Sequence, residues 1–314
     1  MNRVLTVVFA SVVATSAWGQ PSELDPARLK LSSANVLVLD AAADRQVYAK
    51  AADEVTPIAS VTKLMTAMVV LDAQQALGEE LDIDTADFDY LKGSHSRLRM
   101  GTTLTRREML RLALMASENR AASSLARHYP GGTPAFVTAM NFKALSLGMT
   151  HTHYSDPTGL SPENVSTASD LGRLVQAAAD YPLIREFTTT PSYEVDMQPW
   201  GRTVGFNNSN ALVKNQAWDI TLQKTGYIRE AGKCVVMLVN IASKPFVIVL
   251  LDSFGKYTRI ADAQRVKHWL ETGETLALAP VKAVRAVKAR ATQRAAQRTR
   301  GTFAPRAVKT SRKR

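Results

Sequence analysis

An α/β fold, in which helices flank a sheet and the middle of the chain forms a helical insertion, follows from three observations. Two short β-patterned segments stand near the start, Asn35-Val-Leu-Val-Leu39 and Gln46-Val-Tyr-Ala-Lys50. Three more follow one another near the end, at 220–225, 234–241 and 246–251. Between the two groups the apolar residues recur at helical spacing. Strands at both ends with helices between them place one layered sheet at the centre, with the intervening residues inserted on it.

Each element has its own local reason. Residues 40–45 separate the first two strands as a turn. Residues 61–73 contain no Gly or Pro and set Leu64, Ala67, Met68 and Leu71 on one helical face. Ser60 then falls in the first turn of that helix and Lys63 one turn on, where an i, i+3 pair are neighbours. Residues 78–103 mix Asp, Gly and Arg without a readable period. Thr105 and Glu108 have the spacing of a capping box, and the helix they start runs through Leu110, Leu114 and Met115 toward Ser117. Pro130-Gly131-Gly132 stops the segment that reaches Tyr129. Thr133-Pro134 opens another helix that ends at Gly148, with Pro at its first position and Gly beyond its end. Ser166 or Thr167 starts a fourth, through Leu171, Leu174 and Ala177, stopped near Pro182. A closing helix runs from Ile260 to about Thr272 with Val266 and Trp269 inward. No internal repeat is present.

The ends of the 314-residue chain differ from its body. Met1-Asn2-Arg3, an apolar stretch from Val4 to Val13 and Ala17-Trp18-Gly19 read as a secretory signal over 1–19, cut before Gln20 and too short to span a membrane. The mature chain is therefore expected in the periplasm. The formal charge is +11, but residues 282–314 hold twelve Lys or Arg and no acid, which leaves residues 20–281 at a net of −2. A tail over 281–314 of this composition cannot bury enough to fold alone. It is expected to be a disordered extension, with electrostatic contact to an anionic wall polymer or membrane as its functional reading, helped by Lys282, Arg285 and Lys288. Export argues against nucleic acid as a partner. Cys234 is the only cysteine, so no internal disulfide forms, and it reads as strand core.

Three short patterns stand in order along the body: Ser60-Val-Thr-Lys63, Ser117-Glu-Asn119 and Lys224-Thr-Gly226. A second S-x-x-K at Ser253-Phe-Gly-Lys256 and a second S-x-N at Ser33-Ala-Asn35 show how weak each pattern is alone. Context separates them, because Ser60 opens a helix whereas Ser253 ends an apolar run and meets Gly255. A serine hydroxyl attacks a carbonyl only when a base takes its proton, and Lys63 is the local candidate. Lys63 acts near neutral pH if burial or another cation lowers its pKa, and Lys224 could be that cation. Ser117 would relay a proton to the leaving amine, and Asn119 would hydrogen-bond a substrate amide. Gly226 allows close backbone approach in a strand along which an extended substrate could pair. The N–H groups of Ser60 and Tyr227 would form the oxyanion hole.

Together these patterns resemble the β-lactamase and penicillin-binding protein superfamily, whose signature is this triple set. Further stretches are similar to the low-molecular-mass penicillin-binding proteins, the serine D-alanyl-D-alanine peptidases: Pro57–Met68, Leu114–Ala122, Asp156-Pro-Thr-Gly-Leu160, Asn208-Ser-Asn-Ala-Leu212 and Lys224-Thr-Gly-Tyr227. Ala126–Gly132 and Asp252–Arg259 most resemble the D-alanyl-D-alanine endopeptidase branch. The resemblance covers about residues 34–272 within a catalytic domain over 20–280, and implies a β-lactamase/transpeptidase-like fold with an antiparallel sheet. It also implies a peptidoglycan peptide as substrate, hydrolysed at its cross-links, with β-lactams as covalent inhibitors. A carboxypeptidase trimming terminal D-Ala and an inactive peptidoglycan-binding protein are the alternatives, the latter opposed by intact Ser60, Lys63, Ser117, Asn119 and Lys224. Thr225, Arg229 and Arg259 are candidates for binding a terminal carboxylate. Glu163-Asn164 invites comparison with a deacylating glutamate but follows the Thr158-Gly-Leu160 loop differently. His151 and His153 lack a third ligand or an H-E-x-x-H pattern, and neither a metal nor a cofactor is expected.

Overall fold

Strands β1 (Asn35–Asp40) and β2 (Arg45–Lys50) pair antiparallel as the first hairpin. After the short β3 (Thr56–Pro57), a 3₁₀ turn over Ala59–Thr62 leads directly into α1 (Lys63–Asp72). The insertion continues with β4 (Glu80–Asp82), β5 (Thr103–Thr105), α2 (Arg106–Met115), α3 (Asn119–Arg127) and α4 (Gly132–Ser146). It ends with β6 (Val165–Ser166), α5 (Ala168–Ala179), α6 (Pro182–Thr189) and the hairpin β7 (Ser192–Met197)–β8 (Arg202–Asn207). Strands β9 (Asp219–Ile228), β10 (Gly232–Ile241) and β11 (Lys244–Ser253) then complete the sheet, and α7 (Thr258–Thr272) closes the fold. This computed structural model describes residues 24–199 and 201–277. The expected signal segment and basic tail lie outside the described residues.

The five long strands form one antiparallel sheet in the order β2-β1-β11-β10-β9. Sequence alternation divides its two faces. Val36, Val38, Val235, Met237, Ile248 and Leu250 pack in one core with Val266 and Trp269 of α7. Leu37, Val236, Val247 and Val249 pack in the other with Leu64, Met68, Leu171 and Val175 of the helical layer. A strand buried on both faces reads as an uninterrupted apolar run, as 246–251 does. Strand β9 is left at an edge of the sheet, and its neighbour in space is the turn that carries Ser60.

The expected architecture of a sheet with a helical insertion is present, with local differences. Ser60 lies in the 3₁₀ turn and the α-helix begins only at Lys63. Side chains three apart eclipse in 3₁₀ geometry, so the turn aligns Ser60 with Lys63 directly. The capping box at Thr105 and Glu108 forms, with Glu108 N to Thr105 Oγ1 at 3.2 Å and Thr105 N to Glu108 Oε2 at 2.9 Å. Helix α4 starts one residue before Thr133, with Gly131 as its cap. Helix α5 stops at Ala179, near Pro182 as expected, and Pro182 itself is the first residue of a further helix, α6, where its missing N–H costs nothing.

Candidate active site

The turn that carries Ser60 is held by a loop that the sequence marks as Asp156-Pro-Thr-Gly-Leu160. The Asp156 carboxylate accepts the N–H groups of Gly159 and Ser161 at 2.7 and 2.8 Å, which curls the loop. Asn164, fully buried, fixes the loop to the turn. Its Oδ1 accepts from Ser155 N, Ser155 Oγ and Asp156 N, and its Nδ2 donates to Thr62 Oγ1 at 3.0 Å and Asp156 O at 2.8 Å. Gly159 has φ +79°, and a Cβ there would lie 2.0 Å from the Ala59 carbonyl oxygen, so the loop meets the turn only because the side chain is absent.

Lys63 is buried at the centre of the site. Its Nζ donates to Ser60 Oγ at 3.0 Å, Asn119 Oδ1 at 2.7 Å and the Thr158 carbonyl at 2.6 Å. Burial lowers its pKa to about 8, against the opposing pull of Asp156, Glu118 and Asp89. Of the two causes the sequence allowed, burial or the charge of Lys224, burial is the leading one. The two lysines repel each other. Lys224, also buried, lies well below its ordinary value through burial first and then through Lys63 and Arg259.

Ser117 stands between α2 and α3 with φ +63°, a left-handed conformation that is strained for a residue with a side chain. Its Oγ accepts from Lys224 Nζ at 2.9 Å. Asn119 opens α3, and its Nδ2 donates to Ser94 Oγ at 2.9 Å while its Oδ1 faces Lys63. Glu118 is the N-cap of that helix, accepting from Arg120 N at 3.3 Å.

Strand β9 supplies the opposite wall. A Cβ on Gly226 would lie 2.9 Å from the Ile58 carbonyl oxygen and 3.1 Å from both Ala59 Cβ and Ser60 N, so this glycine seats the strand against the turn that carries Ser60. Thr225 Oγ1 donates to Ser209 Oγ at 2.7 Å, and Tyr227 is exposed on the strand. Arg259 lies across β9 and β10, donating to the Gly226 and Cys234 carbonyls at 3.0 and 3.1 Å, whereas Arg229 is exposed in the turn that follows β9.

The structure therefore brings Ser60, Lys63, Ser117, Asn119, Lys224, Thr225, Gly226 and Tyr227 together where the Ser60 turn, the junction of α2 and α3, and β9 meet. Such a set can pass a proton from Ser60 to a buried amine and hold an extended chain at a sheet edge. Ser253 is elsewhere, buried with its Oγ 2.6 Å from Ser33 Oγ, which also bonds Asp262. Glu163 is exposed, and it is the adjacent Asn164 that matters. His151 and His153 are both exposed, and no group of three or more His, Cys, Asp or Glu placed to hold a metal occurs among the described residues. Residue-level reading passed over Thr158, Gly159, Asn164, Ser94 and Ser209; the stretches around 156–160 and 208–212 were the available signal.

A family model described as D-alanyl-D-alanine carboxypeptidase matches residues 22–255. The chain is 49% identical over 282 residues to a D-alanyl-D-alanine endopeptidase of Pseudomonas aeruginosa, covering 88% of this chain and 91% of that protein. It is 46% identical over 267 residues to a D-alanyl-D-alanine endopeptidase of Escherichia coli, covering 85% and 86%. The crystal structure of the Streptomyces K15 DD-transpeptidase superposes with a TM-score of 0.71 at 26% identity, covering 76% of this chain and 97% of that one.

Proposed function

Because the chain belongs to the D-alanyl-D-alanine carboxypeptidase family, we propose that it is a serine peptidase that hydrolyses D-alanyl peptide cross-links of peptidoglycan through an acyl-enzyme on Ser60. The observation that carries the serine chemistry is the direct contact of Ser60 Oγ with a buried Lys63 whose pKa is lowered to about 8. A group titrating there is about one-tenth neutral at pH 7, which suffices for a general base.

In this reading neutral Lys63 takes the Ser60 hydroxyl proton as Oγ bonds to the D-alanyl carbonyl carbon. The Ser60 and Tyr227 N–H groups receive the oxyanion, which is usually the largest electrostatic contribution in acyl transfer. The carbonyl carbon–nitrogen bond then breaks, and the leaving amine gains its proton through Ser117, backed by Lys224. Water repeats the sequence on the ester and frees Ser60. Asn119 orients the substrate amide, while β9 from Lys224 to Gly226 aligns the chain by strand addition. A β-lactam carbonyl meets the same nucleophile, so β-lactams act as covalent inhibitors.

Cross-link cleavage is favoured over trimming of terminal D-Ala by the names of the two relatives at 49% and 46% identity. Domain organisation follows the sequence reading, with a signal over 1–19, a catalytic domain over 20–280 and a basic tail over 281–314 that meets anionic wall or membrane in the periplasm. No helix among the described residues is long and apolar enough to cross a membrane. The test exposes purified protein to penicillin and measures intact mass, expecting one adduct on the Ser60 peptide that disappears in Ser60→Ala. An adduct that persists in Ser60→Ala refutes the assignment. Cross-linked muropeptide dimers and pentapeptide monomers, offered separately, then distinguish endopeptidase from carboxypeptidase.

A further inference from the structure

The loop ahead of β5 meets the site where Asn119 Nδ2 donates to Ser94 Oγ at 2.9 Å. Behind Ser94 stands Asp89. Its Oδ1 accepts the N–H groups of Leu91 and Lys92 at 2.9 and 2.8 Å, and its Oδ2 accepts that of Ser94 at 2.7 Å. Burial of Asp89 works against its charge, but the Ser94 hydroxyl and the same three N–H groups outweigh it and hold the carboxyl below its ordinary value. The loop has two further moorings that do not involve Asp89: Lys92 Nζ on Glu230 Oε1 at 2.6 Å, and Arg120 over the Phe88 ring at 4.0 Å.

A hydroxyl has one hydrogen to give and two lone pairs to offer. With its hydrogen turned to the Asp89 carboxylate, Ser94 Oγ can only accept, so the end of Asn119 that faces it must be the amino end. An amide that gives its amino end to Ser94 turns its oxygen the other way, and Asn119 Oδ1 receives Lys63 Nζ at 2.7 Å. The two orientations of an amide have almost the same shape, so the order of hydrogen bonds chooses between them and packing does not. A reversed amide would aim an N–H at Lys63. It would meet the ammonium as donor against donor, and in the neutral amine it would occupy the lone pair that must take the proton of Ser60 Oγ, 3.0 Å away.

We infer that Asp89 is a positioning residue for acylation: through Ser94 it fixes the Asn119 amide with its oxygen on Lys63, an inference that rests on the serine chemistry proposed above. Asp89→Asn sets an amide N–H beside Ser94, which frees the hydroxyl hydrogen to turn toward Asn119 and reverses the chain. Ser94→Ala removes the link but keeps all three N–H groups that Asp89 accepts. Penicillin acylation is followed by intact mass across pH for the parent, each single variant and the double variant, with thermal midpoints alongside. Each single variant should acylate about tenfold more slowly or worse where its rate levels off, as expected for one hydrogen bond to a charged group. In both, the rate should level off at lower pH than in the parent, because the Lys63 ammonium loses an acceptor while Asp156 and Glu118 still favour it and Lys224 still opposes it. The double variant should be no slower than the slower single one, since both changes break the same chain. Ser94→Ala that keeps either the parental rate or the parental levelling pH overturns the relay, as do losses that multiply in the double variant; Asp89 then only shapes its loop. A parent that takes up no penicillin overturns the proposed function together with the relay, whereas a labelled parent with such variants overturns the relay alone.

Discussion

Lys63→Met removes the proposed base while keeping most of its volume, and the structure sets what should follow. A fall from 10.5 to about 8 corresponds to about 3 kcal/mol against the charged form. That cost is fully present below pH 8, where folded and unfolded chains both hold the proton. It is relieved as pH rises from about 8 to 10.5, where only the unfolded chain still binds it, so Lys63 makes stability rise with pH across that window by about 1.4 kcal/mol per unit. Methionine abolishes the cost but leaves Asn119 Oδ1, the Thr158 carbonyl and Ser60 Oγ without their shared donor, at about 1 kcal/mol or more each. The two effects nearly offset, and stability at pH 7 should stay within about 2 kcal/mol of the parent. Penicillin acylation should nevertheless fall by about 10²-fold or more, the usual size of a general-base contribution. In the parent the acylation rate should climb about tenfold per pH unit and level off near the Lys63 value of about 8. Intact-mass time courses give the rates and urea unfolding at several pH values gives the stabilities. Because Lys63 is one of the charges that lowers Lys224, the difference between the pH slopes of the two proteins reports Lys63 together with its coupling to Lys224. Acylation of Lys63→Met at the parental rate would refute the lysine-base mechanism.

Three further perturbations probe the support of the site. Gly226→Ala sets a Cβ 2.9 Å from the Ile58 carbonyl oxygen and 3.1 Å from Ser60 N; overpacking of this kind costs about 1–3 kcal/mol, and mass-spectrometric acylation rates should drop at least about tenfold, whereas an unchanged rate means that β9 does not set the position of Ser60. Asn164→Ala empties a buried position that makes five side-chain hydrogen bonds and should cost about 3 kcal/mol or more in urea unfolding, and a loss below about 1 kcal/mol refutes its role in joining loop to turn. Truncation after residue 281 should preserve penicillin acylation and the thermal midpoint while weakening sedimentation with sacculi or anionic vesicles, most clearly at low salt; unchanged binding removes the electrostatic role of the tail.

What the sequence discloses here depends on how local its cause is. The Thr105–Glu108 cap was readable because both partners lie within one turn. The S-x-x-K, S-x-N and K-T-G patterns were readable because each holds its residues at fixed spacing on one element. The 3₁₀ turn at Ser60 was not, since an i, i+3 pair suits α and 3₁₀ helices alike. Helix α6 was hidden behind Pro182, which can end a helix or begin one. The β7–β8 hairpin has mostly polar, exposed positions and so shows little apolar alternation. At 163–164 the chemistry of a carboxylate attracted the comparison, yet the buried amide beside it has five partners that only the folded chain assembles. The loop carrying Asp89, Lys92 and Ser94 has no period at all, because its shape comes from side chains folding back on backbone.

The two buried lysines divide the proton inventory of the site by their surroundings. Around Lys63 are three hydrogen-bond acceptors and the fields of Asp156, Glu118 and Asp89, which favour its ammonium form against the cost of burial. Around Lys224 the charges that act are cations, Lys63 and Arg259, which add to the cost of burial. A resting positive charge is therefore more stable on Lys63, and Lys224 is the readier of the two to be neutral. Ser117 Oγ lies 2.9 Å from Lys224 Nζ, while Lys63 is in direct contact with Ser60. Losing the proton from Lys63 turns it into a base and simultaneously removes the repulsion that opposes protonation of Lys224. Each lysine then becomes easier to charge when the other is neutral, and the pair can hold one proton on the Ser60 side or on the Ser117 side, as the proposed acylation and departure of the amine require.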